Sequence, residues 1–274
     1  MKITFYGVRG SIPAPGRDTY RFGGNTTSAE LLTASGQRLI IDCGTGARKL
    51  GLKILQEKDV PEIPIFVTHV HWDHIQGLPF FLPIYMARFK IKFLGAKETF
   101  GRLYSTLYDQ MDGYVFPADL QEVQSTVNYQ VVDDEGFDVG GAHVDLIRNN
   151  HPVPTYGLKI CEQGKCFVFI TDNELRAEKQ QTPFDKFVQF CAGADLLIHD
   201  AQYTETQMRL TRGWGHSTFL ETIQLAEEAG VKALGFCHHD PERTDEQLDE
   251  ILKEMQAKTA IRLFGVTEGE MLEI

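Results

Sequence analysis

The stretch FVTHVHWDHIQGLP, residues 66–79, packs three histidines and an aspartate into the six positions from His69 to His74. An apolar run of strand length, IPIFVT (residues 63–68), leads directly into it. Side chains two apart in an extended segment point the same way, so His69 and His71 can face one cation. Asp73 and His74 follow where the chain turns and can face a second. The competing reading is a polar surface loop that binds nothing, and the rest of the chain decides between them.

Other apolar runs end in the same manner. VDLIRNN runs into His151, CFVFIT delivers Asp172, ADLLI delivers His199 and Asp200, and KALGFC delivers His238 and His239. Loops at strand ends place functional groups on a rigid scaffold, so these endings are expected to converge on one site. His151 would join His69 and His71 at the first ion. His238 would join Asp73 and His74 at the second. His239 is the alternative there, and His238 is preferred because it follows the strand directly. Two ions roughly 3.5–4 Å apart need a shared carboxylate, and Asp172 is the candidate bridge. Imidazole and carboxylate without thiolate suit Zn²⁺, with Mn²⁺ or Fe²⁺ as alternatives. His199 reads as a core residue and His143 as a solvated strand residue.

Short β-branched or aromatic runs fall into two clusters, KITFYG to IKFLG and STVNYQVVDD to AIRLFGV, punctuated by Gly, Asp and Asn. Helical spacing appears in GARKLGLKILQEK, TFLETIQLAEEAG and DEQLDEILKEMQAK. Thr218 and Glu221 have capping-box spacing, and Gly230 is a stop signal. Residues 78–125 read as further helices over one flank. Many antiparallel strands with helices outside predict an α/β fold, a four-layer αββα sandwich, in one domain over residues 1–274.

Lys and Arg total 27 against 38 Asp and Glu, a net charge of −11, which disfavours long nucleic acid as a substrate. No apolar run approaches the ~20 residues that span a bilayer. The opening MKITFYGVRGS lacks the basic and long apolar regions of a signal peptide, so a cytoplasmic protein with no membrane partner is expected. The five cysteines are odd in number and sit mostly in apolar runs, which predicts reduced thiols. Cys161 and Cys166 flank a turn, EQGK, and can lie close together across it.

His-x-His-x-Asp-His, followed by a distant His, Asp and His each after a strand, resembles the metallo-β-lactamase superfamily, whose fold is the αββα sandwich. The resemblance covers nearly the whole chain and is more specific for fold than for reaction. LIIDCGTG (residues 39–46) resembles the family's early Asp-x-Gly strand end, implying that Asp42 braces the site from behind. WGHSTFLETIQLAEEAG, after a strand ending in His199-Asp200, is similar to the phosphodiesterase branch, which includes ribonuclease Z, the cyclic phosphate hydrolase of phosphonate metabolism and class II cyclic nucleotide phosphodiesterases. On that resemblance His216 faces the scissile phosphate and Asp200 orients it, so Asp73, His216 and Asp200 are the candidate catalytic residues.

Departures narrow the reading. No cysteine precedes Cys43, whereas the phosphonate-pathway enzyme has an early cysteine cluster for an extra zinc. No Gly/Pro-rich arm of the kind that grips tRNA is present, and His71 stands where flavodiiron relatives have Glu. The implied function is a two-metal hydrolase that cleaves a small or cyclic nucleotide-type phosphodiester with hydroxide generated at the ions, and a homodimer is expected from the family. Thioester or lactone hydrolysis on the same scaffold, or a non-catalytic metal-holding protein, are the alternatives.

Overall fold

The computed structural model describes residues 1–60, 62–133 and 135–274. Strands β1 (Lys2–Gly7), β2 (Ser28–Leu32), β3 (Arg38–Ile41), β4 (Ile63–Phe66), β5 (Lys90–Ala96) and β6 (Thr126–Val132) come first in the chain. Then follow β7 (Phe137–Val139), β8 (Ala142–Arg148), β9 (Tyr156–Glu162), β10 (Lys165–Ile170), β11 (Leu196–Asp200), β12 (Ala233–Cys237), β13 (Arg262–Gly265) and β14 (Met271–Glu273). The expected strand STVNYQVVDD is β6, and Asp134 at its end lies outside the described residues.

The strands form two sheets, ordered β14-β1-β2-β3-β4-β5-β6 and β13-β12-β11-β10-β9-β8-β7. Both are mixed, not mainly antiparallel as the strand spacing predicted. Strands β3 to β6 pair in parallel, and so do β10 to β13. The physical reason lies in the connections, because parallel neighbours need a crossover of a dozen or more residues. Helices α1 (Ala47–Ile54), α2 (Trp72–Ile75) and α3 (Lys97–Asp109) occupy the crossovers of the first sheet. Helices α4 (Phe184–Cys191), α5 (Glu205–Thr211), α6 (Phe219–Ala229) and α7 (Asp245–Gln256) occupy those of the second. The flank over residues 78–125 holds 3₁₀ turns, β5 and α3 rather than helices alone.

Alternation along the strands sets the layers. Ile3, Phe5, Leu39, Ile41 and Phe66 of the first sheet meet Val144, Leu158, Phe167 and Phe169 of the second in one core. Phe5 and Phe169 lie with ring centroids 6.2 Å apart. A second core joins Val168 and Ile170 to α4, α6 and α7, and a third joins Ile63 and Ile65 to α1 and α3. The result is the αββα sandwich.

Helix α6 is capped as its sequence predicts. The Glu221 amide donates to Thr218 Oγ1 at 3.1 Å, the Thr218 amide donates to the Glu221 carboxylate at 3.1 Å, and Gly230 ends the helix at φ 63°. That cap fixes the chain two residues after His216. The expectation of five reduced thiols is corrected: Cys161 and Cys166 are directly opposed in the β9–β10 hairpin and form a disulfide. Antiparallel pairing brings their Cα atoms to 4.2 Å, which a bare count of cysteines does not reveal. Cys43, Cys191 and Cys237 are free and buried. No described helix is long and apolar enough to cross a membrane.

Candidate metal centre

Strands β3, β4, β8, β10, β11 and β12 all point their C-terminal ends to one edge of the sandwich. Asp42, His69, His151, Asp172, Asp200 and His238 lie at or just past those ends. Among the described residues, Ser11, Asp42, Gln163, Asp172 and His238 are the non-glycine positions with positive φ, and four of these five belong to this edge. Such conformations are disfavoured for residues with a Cβ and gather at functional sites. The strand ends are bent to aim these side chains inward.

Two four-residue groups of potential ligands result, and a third group, Asp200, His216 and His238, adjoins them. One nitrogen or oxygen each from His69, His71, His151 and Asp172 lies within 4.8 Å of every other, and the same holds for Asp73, His74, Asp172 and His238. Asp172 belongs to both. Its Oδ1 lies 3.7 Å from His69 Nε2 and 4.0 Å from His151 Nε2, while its Oδ2 lies 3.2 Å from His74 Nε2 and 3.4 Å from His238 Nε2. Each carboxylate oxygen therefore faces one group. Asp73 Oδ2 stands 3.3 Å from His74 Nε2 and 3.2 Å from His238 Nε2.

The donor set fits divalent cations. Nε2 of His69 and of His74 are buried without a hydrogen-bond partner, an arrangement that is costly unless something else takes up the lone pair. Burial holds His69 well below the usual imidazole range, lowers His71, and pushes His151 down to about 4, so all three are neutral near pH 7 and can ligate. Burial opposes charge on His74, but Asp172, Asp73 and Asp42 outweigh it and raise that imidazole well above its ordinary value. Burial would likewise raise Asp73 and Asp172. Instead His74 and His238 hold both well below the carboxylate range. Carboxylates converging in this way favour a cation of any kind.

A surrounding shell fixes the rings. His74 Nδ1 lies 2.8 Å from Asp42 Oδ2, His151 Nδ1 lies 3.0 Å from the Gly215 carbonyl, and His238 Nδ1 lies 3.1 Å from Gln202 Oε1. The Ser11 amide donates to Asp73 Oδ2 at 2.9 Å. Gly215 has φ 90°, and a Cβ there would come within 2.1 Å of His151 Nδ1, so only glycine fits between this loop and the ligand.

His216 lies beside both groups. Its ring is 5.5 Å from that of His151 and stacks on His238 at 5.0 Å. His216 Nδ1 lies 2.9 Å from Asp200 Oδ2, and Asp200 also accepts from the amides of Ser217 at 2.9 Å and Asn173 at 3.1 Å. Burial lowers His216, yet Asp200 outweighs it and raises the imidazole above its ordinary value.

The structure brings His69, His71, Asp73, His74, His151, Asp172, Asp200, His216 and His238 together at this edge. His239 does not join either group: its Nε2 donates to the Val266 carbonyl at 2.9 Å, and its ring packs against Phe22. His199 is fully buried against Asn173, and His143 is exposed on β8. Gln202, the Ser11 amide and the Gly215 carbonyl were not foreseen, because backbone groups and common polar side chains carry no ligand signature in a sequence.

The β-lactamase superfamily domain matches residues 37–239 of this chain. The probable metallo-hydrolase YhfI of Bacillus subtilis (strain 168) is 24% identical over 246 residues, covering 87% of this chain and 86% of that protein. A ribonuclease Z of Picrophilus torridus is 25% identical over 293 residues, covering 89% and 87%. Among solved structures, YhfI aligns at TM-score 0.73 with 19% identity over 99% of both chains. A diphosphatase of the PhnP family aligns at TM-score 0.71 with 19% identity, over 100% of this chain and 97% of that one.

Proposed function

The chain belongs to the metallo-β-lactamase superfamily, and from that premise we propose that it is a metal-dependent phosphodiesterase acting on a small or cyclic nucleotide-type ester. The observation that carries the reading is the His216–Asp200 pair, 2.9 Å apart and set beside the two ligand groups. Ester hydrolysis with a basic alkoxide leaving group benefits from an acid placed in this way, whereas opening a thioester does not need one.

His69, His71 and His151 would hold one ion, Asp73, His74 and His238 would hold the other, and Asp172 would serve both groups. The donor set of imidazole and carboxylate favours Zn²⁺, with Mn²⁺ or Fe²⁺ as alternatives. Bound divalent ions would acidify a water and offset charge on the phosphoryl oxygens. Asp200 accepts from Nδ1–H of His216 and favours its doubly protonated imidazolium, so that Nε2–H faces the substrate and passes its proton to the departing oxygen, a role worth roughly 10²- to 10⁴-fold. Gln202 and the Gly215 carbonyl hold His238 and His151 in ligating orientation. The net charge of −11 supports a small substrate over a long polyanion.

The test is hydrolysis of bis(p-nitrophenyl) phosphate by the purified chain, with metal content measured on the same sample and an aryl thioester run in parallel. Turnover of the diester that is abolished by chelation, at two metals per chain, supports the reading. Two metals with thioester turnover and none of the diester would overturn it.

A further inference from the structure

A cavity of about 760 Å³ opens directly off the centre and shares His71 and His216 with it. Trp214, Leu210 and Pro241 form its apolar wall, and the Trp214 indole is 61% exposed. Gln207 and Asp240 present its polar edge, and among the described residues no Lys or Arg lines it. Large exposed aromatics beside a concave site are a recognition signal and not ordinary surface.

The backbone that carries Trp214 is held before anything binds. Glu174, only 1% exposed, accepts from the Gly213 amide at 2.8 Å and from the Gly215 amide at 3.1 Å, one on each side of Trp214. The Gly215 carbonyl is in turn held by His151. A platform fixed at both flanks loses little freedom when a flat ring settles on it. The charge of the cavity then selects among the groups a substrate can carry beyond its scissile phosphate. A second phosphate would meet the Asp240 carboxylate, offset only by the buried Arg243 guanidinium 4.0 Å behind it and outside the cavity lining, in a chain of net charge −11. An uncharged planar ring meets an indole face and a carboxylate able to accept its N–H groups.

We propose that this cavity is the subsite for the nucleoside half of the substrate, with the base on Trp214, and that Asp240 excludes substrates carrying a second phosphate next to the scissile one. The assignment rests on the phosphodiesterase reading above and names the substrate class for it.

The experiment is calorimetric titration of the zinc-loaded full chain with three probes: methyl phosphate, adenosine 5′-monophosphate and adenosine 5′-diphosphate. The monophosphate nucleotide is expected to bind at least about tenfold more tightly than methyl phosphate, the size of one base-stacking contact. The diphosphate is expected to bind more weakly than the monophosphate. Trp214→Ala should bring the nucleotide down to the affinity of methyl phosphate, and Asp240→Asn should bring the diphosphate up towards the monophosphate. Equal affinity for methyl phosphate and the nucleotide, in a chain that hydrolyses bis(p-nitrophenyl) phosphate, overturns the subsite and leaves the parent reading intact. Failure of all three probes to bind, together with no diester turnover, overturns both.

Discussion

His74 and Asp42 are joined at 2.8 Å through Nδ1 and Oδ2, with both residues fully buried. The same carboxylate accepts from the Thr68 amide and the Thr68 hydroxyl, each at 2.8 Å. Three donors thus converge on one acidic side chain behind the centre. The arrangement keeps a proton on His74 Nδ1 and turns Nε2 towards Asp73 and Asp172. Partners of this kind are worth about 10- to 100-fold in metal affinity. Asp42→Asn, which keeps the shape but presents one acceptor oxygen in place of two, should weaken metal binding at the Asp73–His74–His238 group by that factor. Competition with a chromophoric chelator measures it, and wild-type affinity in the variant would count against the bracing role.

The His216–Asp200 pair makes a sharper prediction because its benefit depends on the leaving group. An acid helps most where the departing oxygen is strongly basic. His216→Gln should therefore lower kcat by about 10²- to 10⁴-fold on an alkyl or nucleoside ester, and by much less on a p-nitrophenyl ester, with both metals retained. Asp200→Asn should follow the same ranking. Equal losses on both esters would assign His216 to substrate binding instead of proton donation.

The legible part of the molecule has a common cause. His69, His71, Asp73 and His74 could be read because ligand-type side chains at two-residue spacing after an apolar run leave few other uses. His151, Asp172 and His238 could be read because each follows an apolar run of strand length. Strand direction could not, since the inward–outward pattern of β10 and β11 is the same whether they run parallel or antiparallel, and the structure makes them parallel. Glu174 and Gln202 were invisible for a different reason: their roles arise from contacts with residues 39 and 36 positions away, and nothing in their local sequence marks them.

The Cys161–Cys166 disulfide should matter for stability and not for turnover. Cys166 is near the start of β10 and Asp172 lies just beyond its end, so about 20 Å of extended chain separates bridge and ligand at ~3.3 Å per residue. The covalent loop spans a sequence separation of 5, for which chain-entropy reasoning gives about 2 kcal/mol. Cys161→Ser with Cys166→Ser should lower the denaturation midpoint accordingly while leaving kcat on bis(p-nitrophenyl) phosphate within about twofold. A large loss of turnover at full metal content would show that the hairpin communicates with the centre.

Glu174 offers the closest check on how the loop before His216 is held. Its Oε2 accepts from the Gly213 and Gly215 amides, and Arg212 lies 3.4 Å from Oε1. Replacing the carboxylate by an amide leaves one oxygen to serve the two amides and turns an N–H₂ group towards the Arg212 guanidinium. Losing one such charge-assisted contact costs about 1–3 kcal/mol, and the loop also carries Trp214 and the carbonyl that orients His151. Glu174→Gln should thus lower kcat and shift the Trp214 emission towards that of a freely solvated indole, with Trp72→Phe used as the background so that a single tryptophan reports. Glu174→Asp, one methylene shorter but still anionic, should recover part of the rate. If Glu174→Gln reduces thermal stability while kcat and the emission stay as in the parent, the contact supports the fold alone and the loop is held by other means.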